Sequence, residues 1–290
     1  MKFVTFRREG RAPEPGVISG ERVISLAGAG YPDLPSLLGH GAEALARIEN
    51  WVYNPPAESV STVDSVKLLA PILRPNKFIC VGLNYRDHAL ESNMEIPKVP
   101  TIFNKFSTAI IGPGDDIVLP SVSKTPDYEA EFAFVIGKGG RNIAGADWKK
   151  HVFGYTIVND VSARDYQLQT SQWLMGKTFD TFAPMGPWIV SADEIADPHA
   201  LDIRMTINGE VLQNSNTREL IFDIPTLIEF LSSVFTLEPG DIVSTGTPAG
   251  VGFARKPPRL LAPGDDCVVY VQGIGELRNP VVAEAAAVTA

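Results

Sequence analysis

The chain has 290 residues, 44% of them hydrophobic and 20% charged, enough to bury a sizeable core in one or two domains. A formal charge of -9 and a pI near 5.0 come with no basic cluster that could track a phosphate backbone, which excludes nucleic acid as an expected partner. No apolar run reaches membrane-spanning length, and Met1-Lys2-Phe3-Val4-Thr5-Phe6-Arg7 reads as a strand rather than a signal segment, so the expectation is a soluble, cytoplasmic protein with no membrane partner.

Taken in order, residues 1 to about 70 read as a small separate unit. Lys2 to Phe6 alternates as a strand, Arg22 to Leu26 is a second, and Leu34 to Val52 has helical spacing with Leu37, Leu38, Ala44, Leu45 and Ile48 on its apolar face. Asn54-Pro55-Pro56 ends that helix, and His40 between two glycines reads as a loop residue. Pro71 to Pro75 is the linker into the remainder, residues 71–290. Lys77 to Gly82 predicts a buried strand, Leu83 to Glu91 a helical segment, Glu91 to Pro100 a polar loop suited to a lid, and Thr101 to Phe106 a short strand. Pro-Gly-Asp begins at Pro113, Pro239 and Pro263, each time before a strand-like run; the irregular spacing marks reused turn chemistry rather than a repeat. Asp202 to Val211 predicts a hairpin around Asn208-Gly209, and Asp223 to Phe235 a helix with Pro225 in its first turn. The 25 glycines and 23 prolines imply many turns and a strand-rich fold, while Cys80 and Cys267 sit in apolar runs and read as core residues, not a disulfide.

The stretch from Pro126 to Asp165 carries the densest chemistry. Alternation over Asp127 to Ile136 puts Glu129 and Glu131 on one face and Ala130, Phe132, Phe134 and Ile136 on the other. Two glutamates about 7 Å apart at Cα converge only if something positive sits between them. A second apolar run ends at Asp160, and three carboxylates from two strands describe an oxygen-ligand site for Mg²⁺ or Mn²⁺. The same pattern also describes a solvated strand face with Asp160 as a helix N-cap; Ser162 and Asp165 resemble a capping box. His88 and Glu91, three apart on a helix, can touch, and a carboxylate beside an imidazole suits a general base; an ordinary surface pair has the same spacing. Lys177 is unusual in an otherwise apolar loop, where it either holds a developing enolate or snorkels to the surface. Ser244 to Gly252 offers hydroxyls and backbone N–H groups suited to a carboxylate. The absence of G-x-S-x-G, Walker A, G-x-G-x-x-G and H-E-x-x-H disfavours nucleophile-elbow hydrolases and Rossmann dehydrogenases.

Together, Val81 to Tyr85 with His88 and Glu91, the Glu129-x-Glu131 pair, Asn159 to Asp165, Gly176 to Asp180 and Thr245 to Gly252 closely resemble the fumarylacetoacetate hydrolase superfamily, in its order, from about residue 75 to the C-terminus. The nearest pattern is the acylpyruvase and fumarylpyruvate hydrolase-like group. The resemblance implies an α+β, mainly β fold: a rolled mixed β-sheet domain behind a small N-terminal α+β domain, usually as a homodimer. It implies Mg²⁺ or Mn²⁺ on Glu129, Glu131 and Asp160, a water-activating dyad of His88 and Glu91, Lys177 assisting the enolate, and substrate contacts from Arg86, Gln167, Gly246 and Thr247. The chain lacks the further metal carboxylate and longer N-terminal domain of the eukaryotic fumarylacetoacetase, which argues against that enzyme's substrate.

The expected activity is therefore hydrolysis of a C–C bond in a 2,4-dioxo acid of acylpyruvate type, within aromatic catabolism. The ion would chelate the 2-oxo acid, His88 would deprotonate the attacking water, and Lys177 would stabilise the departing pyruvate enolate. Decarboxylation of an oxaloacetate-type acid and isomerisation of 2-hydroxyhepta-2,4-diene-1,7-dioate need the same ion without that water and are the alternatives. A protein that binds metal and oxo acid without turnover is the non-enzymatic one.

Overall fold

A computed structural model describes residues 1–285. Strand-rich folding follows from the turn-rich, β-branched sequence, and the strands form mixed sheets. The largest has 12 strands, and its central path runs Lys2–Arg7, Ala183–Ser191, Val152–Asn159, Ala130–Ile136, Ile242–Ser244, Phe78–Gly82 and Thr101–Asn104. Ile242–Ser244 lies parallel to Phe78–Gly82 but antiparallel to Ala130–Ile136. A five-stranded sheet runs Glu210–Asn216, Asp202–Ile207, Asp266–Val271, Gly275–Ala283 and Ile117–Leu119.

The centre of the large sheet is buried on both faces. Phe132, Phe134, Ile136 and Ile157 pack with Ile203, Met205, Val269 and Leu277 of the smaller sheet and with the Ile224–Val234 helix. From the other face, Ala133, Val135 and Val158 pack with Leu34, Leu37, Leu38 and Ile48 of the N-terminal helices. The strand Ala130–Ile136 is therefore buried at every residue, so Glu129 and Glu131 do not lie on a solvated face. Residues 1–70 join the same sheet through Lys2–Arg7, which pairs with Ala183–Ser191.

Most predicted elements form where expected. Phe78–Gly82 is a fully buried strand, Asn208 and Gly209 have φ 53° and 82° and close a hairpin, and the Asp223 side chain caps the Ile224–Val234 helix by accepting from the Thr226 N–H. Cys80 and Cys267 are buried and free. Two readings need correction. The single helix over Leu34 to Val52 is two, Leu34–Gly39 and Gly41–Tyr53, because Gly41 takes a left-handed φ of 61° and breaks the hydrogen-bond ladder. Ser162 and Asp165 form no capping box. Ser162 pairs with Asp127 in a short two-strand bridge, and the Asp165 carboxylate accepts from Ser123 Oγ and the Lys124 N–H instead.

Phe132 stacks on Tyr155 across the central strand pair at a centroid distance of 5.3 Å. Phe132→Ala should cost about 3–5 kcal/mol of stability, read as a lower denaturant midpoint at unchanged m-value.

Candidate active site

Antiparallel register builds the acidic cluster. Ala130 faces Asn159 and Glu131 faces Val158, and the ladder continues outward as the Asp160 N–H donates to the Glu129 carbonyl at 2.9 Å. The two strand ends thus deliver Glu129, Glu131 and Asp160 together, and one carboxylate oxygen from each lies within 4.8 Å of the others. All three residues are buried.

Three buried cations stand against them. Lys177 Nζ donates to Glu129 Oε2 at 2.7 Å and Asp160 Oδ2 at 2.9 Å. Lys105 Nζ donates to Asp160 Oδ1 at 2.5 Å and the Val161 carbonyl at 3.0 Å. Arg164 donates to Glu129 Oε1 at 2.6 Å and through two nitrogens to Asp127 Oδ2, at 2.9 and 2.8 Å. Gly176 makes the Lys177 placement possible: a Cβ there would come within 2.3 Å of the Gln167 nitrogen and 2.6 Å of the Ala163 carbonyl, so only glycine lets the Leu174–Lys177 turn dock this closely.

The remaining carboxylate, Glu131, touches none of these cations. Its Oε2 accepts from Ser244 Oγ at 2.5 Å and the Gly246 N–H at 3.0 Å, and no hydrogen bond reaches Oε1 among the described residues. Burial, then repulsion from Asp160 and Glu129, pushes the Glu131 carboxyl well above the ordinary range. Glu129 is the converse: against the burial that would raise it, Lys177 and Arg164 hold it down at about 2. Burial opposes the charge of Lys177 as well, but Asp160 and Glu129 raise its pKa, so it stays an ammonium. An all-oxygen donor set with one carboxylate lacking a counter-charge fits a hard divalent cation, which Glu129, Glu131 and Asp160 would hold.

A cavity of about 500 Å³ opens onto this cluster, lined among others by Glu129, Glu131, Lys177, His88, Glu91 and Gln167. His88 Nδ1 lies 3.0 Å from Glu91 Oε2, and Glu91 Oε1 accepts from the Gly250 N–H at 2.8 Å. The dyad is thus a real contact, tied to the Ser244 to Gly252 segment. Gln167 Oε1 accepts from Arg164 at 2.9 Å, which orients its amide. Thr247 lines the cavity while its hydroxyl donates to the Ala130 carbonyl at 2.9 Å and accepts from Gln213 at 2.8 Å. The other two predicted substrate contacts sit differently. Arg86 is absent from the cavity lining, and its guanidinium donates to the Leu220 carbonyl at 2.7 Å. The Gly246 N–H is spent on Glu131, and its φ of 93° with a Cβ position 2.9 Å from the Val81 carbonyl requires glycine.

Asp127, Arg164 and Lys105 were not singled out from the sequence. A lone lysine within the apolar Thr101 to Ile111 run was the available signal for Lys105; nothing local distinguished Arg164 from the helix start it also forms. Asp127 accepts from the Gly252 N–H at 2.8 Å and the Phe253 N–H at 3.0 Å as well as from Arg164, so it ties the cluster to the cavity wall.

This fold and site define a member of the fumarylacetoacetate hydrolase family: the profile of the fumarylacetoacetate (FAA) hydrolase C-terminal domain matches residues 77–282, and the chain belongs to that family. Among curated relatives, the mitochondrial oxaloacetate tautomerase of Xenopus laevis is 52% identical over 220 residues, 75% of this chain and 69% of that one. A human mitochondrial oxaloacetate tautomerase is 49% identical over 219 residues, 75% and 70% of the two chains. Among solved structures, the maleylpyruvate hydrolase of Sphingobium sp. SYK-6, in complex with manganese(II) and pyruvate, superposes with a TM-score of 0.83 at 32% identity, covering 98% of this chain and 100% of that one. The 2-hydroxyhepta-2,4-diene-1,7-dioate isomerase of Mycobacterium marinum gives 0.79 at 35% identity, covering 99% and 100%. Members of the family are thus enzymes that isomerise, tautomerise or hydrolyse oxo acids. The cytoplasmic expectation is overturned by curated relatives named as mitochondrial, among them those of Xenopus laevis, Rattus norvegicus, Bos taurus and human. The only related structural fact is that no helix among the described residues is long and apolar enough to cross a membrane.

Two outcomes test this electrostatic arrangement. Lys105→Met breaks a buried ion pair and should destabilise the protein by about 3–5 kcal/mol, seen in chemical denaturation. Burial and the neighbouring carboxylates disfavour the charged form of Glu131, so Mn²⁺ uptake should release a proton and its affinity should rise with pH; calorimetry in buffers of different ionisation enthalpy reads this directly. Binding with no proton release, at an affinity independent of pH, would contradict it.

Proposed function

We propose that the chain is a divalent-metal-dependent tautomerase that interconverts the keto and enol forms of an oxaloacetate-type 2-oxo acid. The carrying observation is the placement of one dyad, His88 with Glu91, in the same cavity as Glu129, Glu131 and the buried ammonium of Lys177. Relatives at about half identity named as oxaloacetate tautomerases support this substrate class over the acylpyruvates.

Keto–enol exchange moves one proton between C3 and the oxygen on C2; it breaks no carbon–carbon bond and consumes no water. When bound by Glu129, Glu131 and Asp160, Mg²⁺ or Mn²⁺ supplies Lewis-acid polarisation of the 2-oxo group and a template for the adjoining carboxylate. Lys177, held charged by Glu129 and Asp160, places a fixed positive charge where negative charge grows on the C2 oxygen. His88 carries the C3 proton, with Glu91 orienting the ring through Nδ1 so that Nε2 is presented to substrate. Gln167, its carbonyl oxygen committed to Arg164, offers its amide N–H groups to the carboxylate at C1.

Hydrolysis of a 2,4-dioxo acid is the second reading. It is favoured by the same dyad, which can equally deprotonate a water, and by the likeness to maleylpyruvate hydrolase.

The deciding experiment follows the ultraviolet absorbance of enol-oxaloacetate. Enzyme with Mg²⁺ or Mn²⁺ should accelerate its decay to the keto form without pyruvate release, and chelation should abolish the effect. His88→Ala should lower the rate about 10²–10⁴-fold with metal affinity retained. Pyruvate released in step with the decay, or cleavage of acylpyruvates as the faster reaction, would replace this assignment with decarboxylation or hydrolysis.

A further inference from the structure

The cavity lining carries a cation that neither the acidic cluster nor the dyad uses. Four positively charged or protonatable side chains line the cavity: His88, Arg164, Lys177 and Lys256. Arg164 and Lys177 are committed to Asp127, Glu129 and Asp160, and His88 is paired with Glu91. Of these four, Lys256 alone makes no ion pair and no side-chain hydrogen bond among the described residues, and it is exposed.

Its backbone, in contrast, is held firmly. The Gly252 carbonyl accepts from the N–H of both Arg255, at 3.3 Å, and Arg259, at 3.0 Å, closing a short loop with Lys256 at its tip. The base of the loop is fixed by Asp127, and its far side by the Leu261 N–H donating to the Pro126 carbonyl at 2.9 Å. The neighbouring cations point elsewhere: Arg255 donates to the Leu212 carbonyl at 2.8 Å, and Arg259 forms a two-pronged pair with Asp265 at 3.0 and 2.7 Å. A positioned backbone carrying one uncommitted ammonium beside a 2-oxo acid site is what a second anionic group on the substrate requires. Leu168, Phe253 and Met94, exposed residues of the same lining, are apolar and offer such a group nothing.

We infer that Lys256 is a specificity-determining residue that binds the distal carboxylate of a dicarboxylic 2-oxo acid and thereby selects it over monocarboxylic analogues. This rests on the reading of the acidic cluster as a 2-oxo acid site. A charge-assisted hydrogen bond from a mobile, solvated lysine discriminates through affinity rather than through the proton-transfer step.

Calorimetric titration of the Mn²⁺-loaded protein with oxaloacetate and with pyruvate, which lacks the distal carboxylate, tests this. Wild type should bind oxaloacetate the more tightly. Lys256→Gln should weaken oxaloacetate by about tenfold and pyruvate by less than about twofold, and Lys256→Arg should retain most of the oxaloacetate affinity. The oxaloacetate affinity of wild type should also fall more steeply with ionic strength than that of pyruvate. Unchanged oxaloacetate binding in Lys256→Gln, or equal weakening of both acids, overturns the assignment while leaving the 2-oxo acid site intact. Failure of wild type to bind either acid overturns the 2-oxo acid reading and this inference with it.

Discussion

Everything at the site depends on a charge imbalance that the fold creates and does not resolve. Asp127, Glu129, Glu131 and Asp160 are buried within reach of only Lys105, Arg164 and Lys177. Taking a carboxylate out of water is costly unless a partner compensates, and three of the four have one. Glu131 has only a hydroxyl and a backbone N–H, so it either holds a proton or recruits a cation. A divalent ion held there would remove the imbalance and attract an anionic ligand, which is what the proposed function requires of the site.

The segment from Ser244 to Phe253 is the mechanical counterpart of that imbalance. It offers hydroxyls and backbone N–H groups to carboxylates, but the carboxylates it holds belong to the protein: Glu131 at Ser244 and Gly246, Glu91 at Gly250, Asp127 at Gly252 and Phe253. One stretch of backbone therefore sets the distance between the acidic cluster, the His88 dyad and the loop that carries Lys256. Asn84 ties the same stretch to the start of the His88 helix by donating to the Thr245 carbonyl at 2.8 Å. Displacing it would move the groups for binding and for proton transfer together.

This construction also accounts for the range of chemistry among the family's members. Under the proposed function, a cluster that grips the 2-oxo acid end and a dyad that handles one proton would serve tautomerisation, isomerisation and hydrolysis alike, the outcome turning on whether the dyad meets a carbon-bound proton or a water. The rest of the cavity lining includes the uncommitted ammonium of Lys256 together with Leu168, Phe253 and Met94, the part proposed above to discriminate between acids.

The sequence by itself determined the strands, the Asn208-Gly209 hairpin, the Asp223 cap and, through five motifs in order, the family; it also singled out Glu129, Glu131, Asp160, His88, Glu91 and Lys177 as candidates. These were legible because period, turn chemistry and carboxylate spacing are local properties of the chain. What only the tertiary structure decided was burial and pairing. Glu129-x-Glu131 reads equally as a solvated face until sheet packing covers both sides of its strand, and nothing local shows that the Arg86 guanidinium lies on the Leu220 carbonyl. Lys105 and Asp127 lie 55 and 37 residues from the partners Asp160 and Arg164 that give them meaning. No local pattern encodes such contacts, because the register of non-adjacent strands, not the spacing of residues along one, brings those charges together.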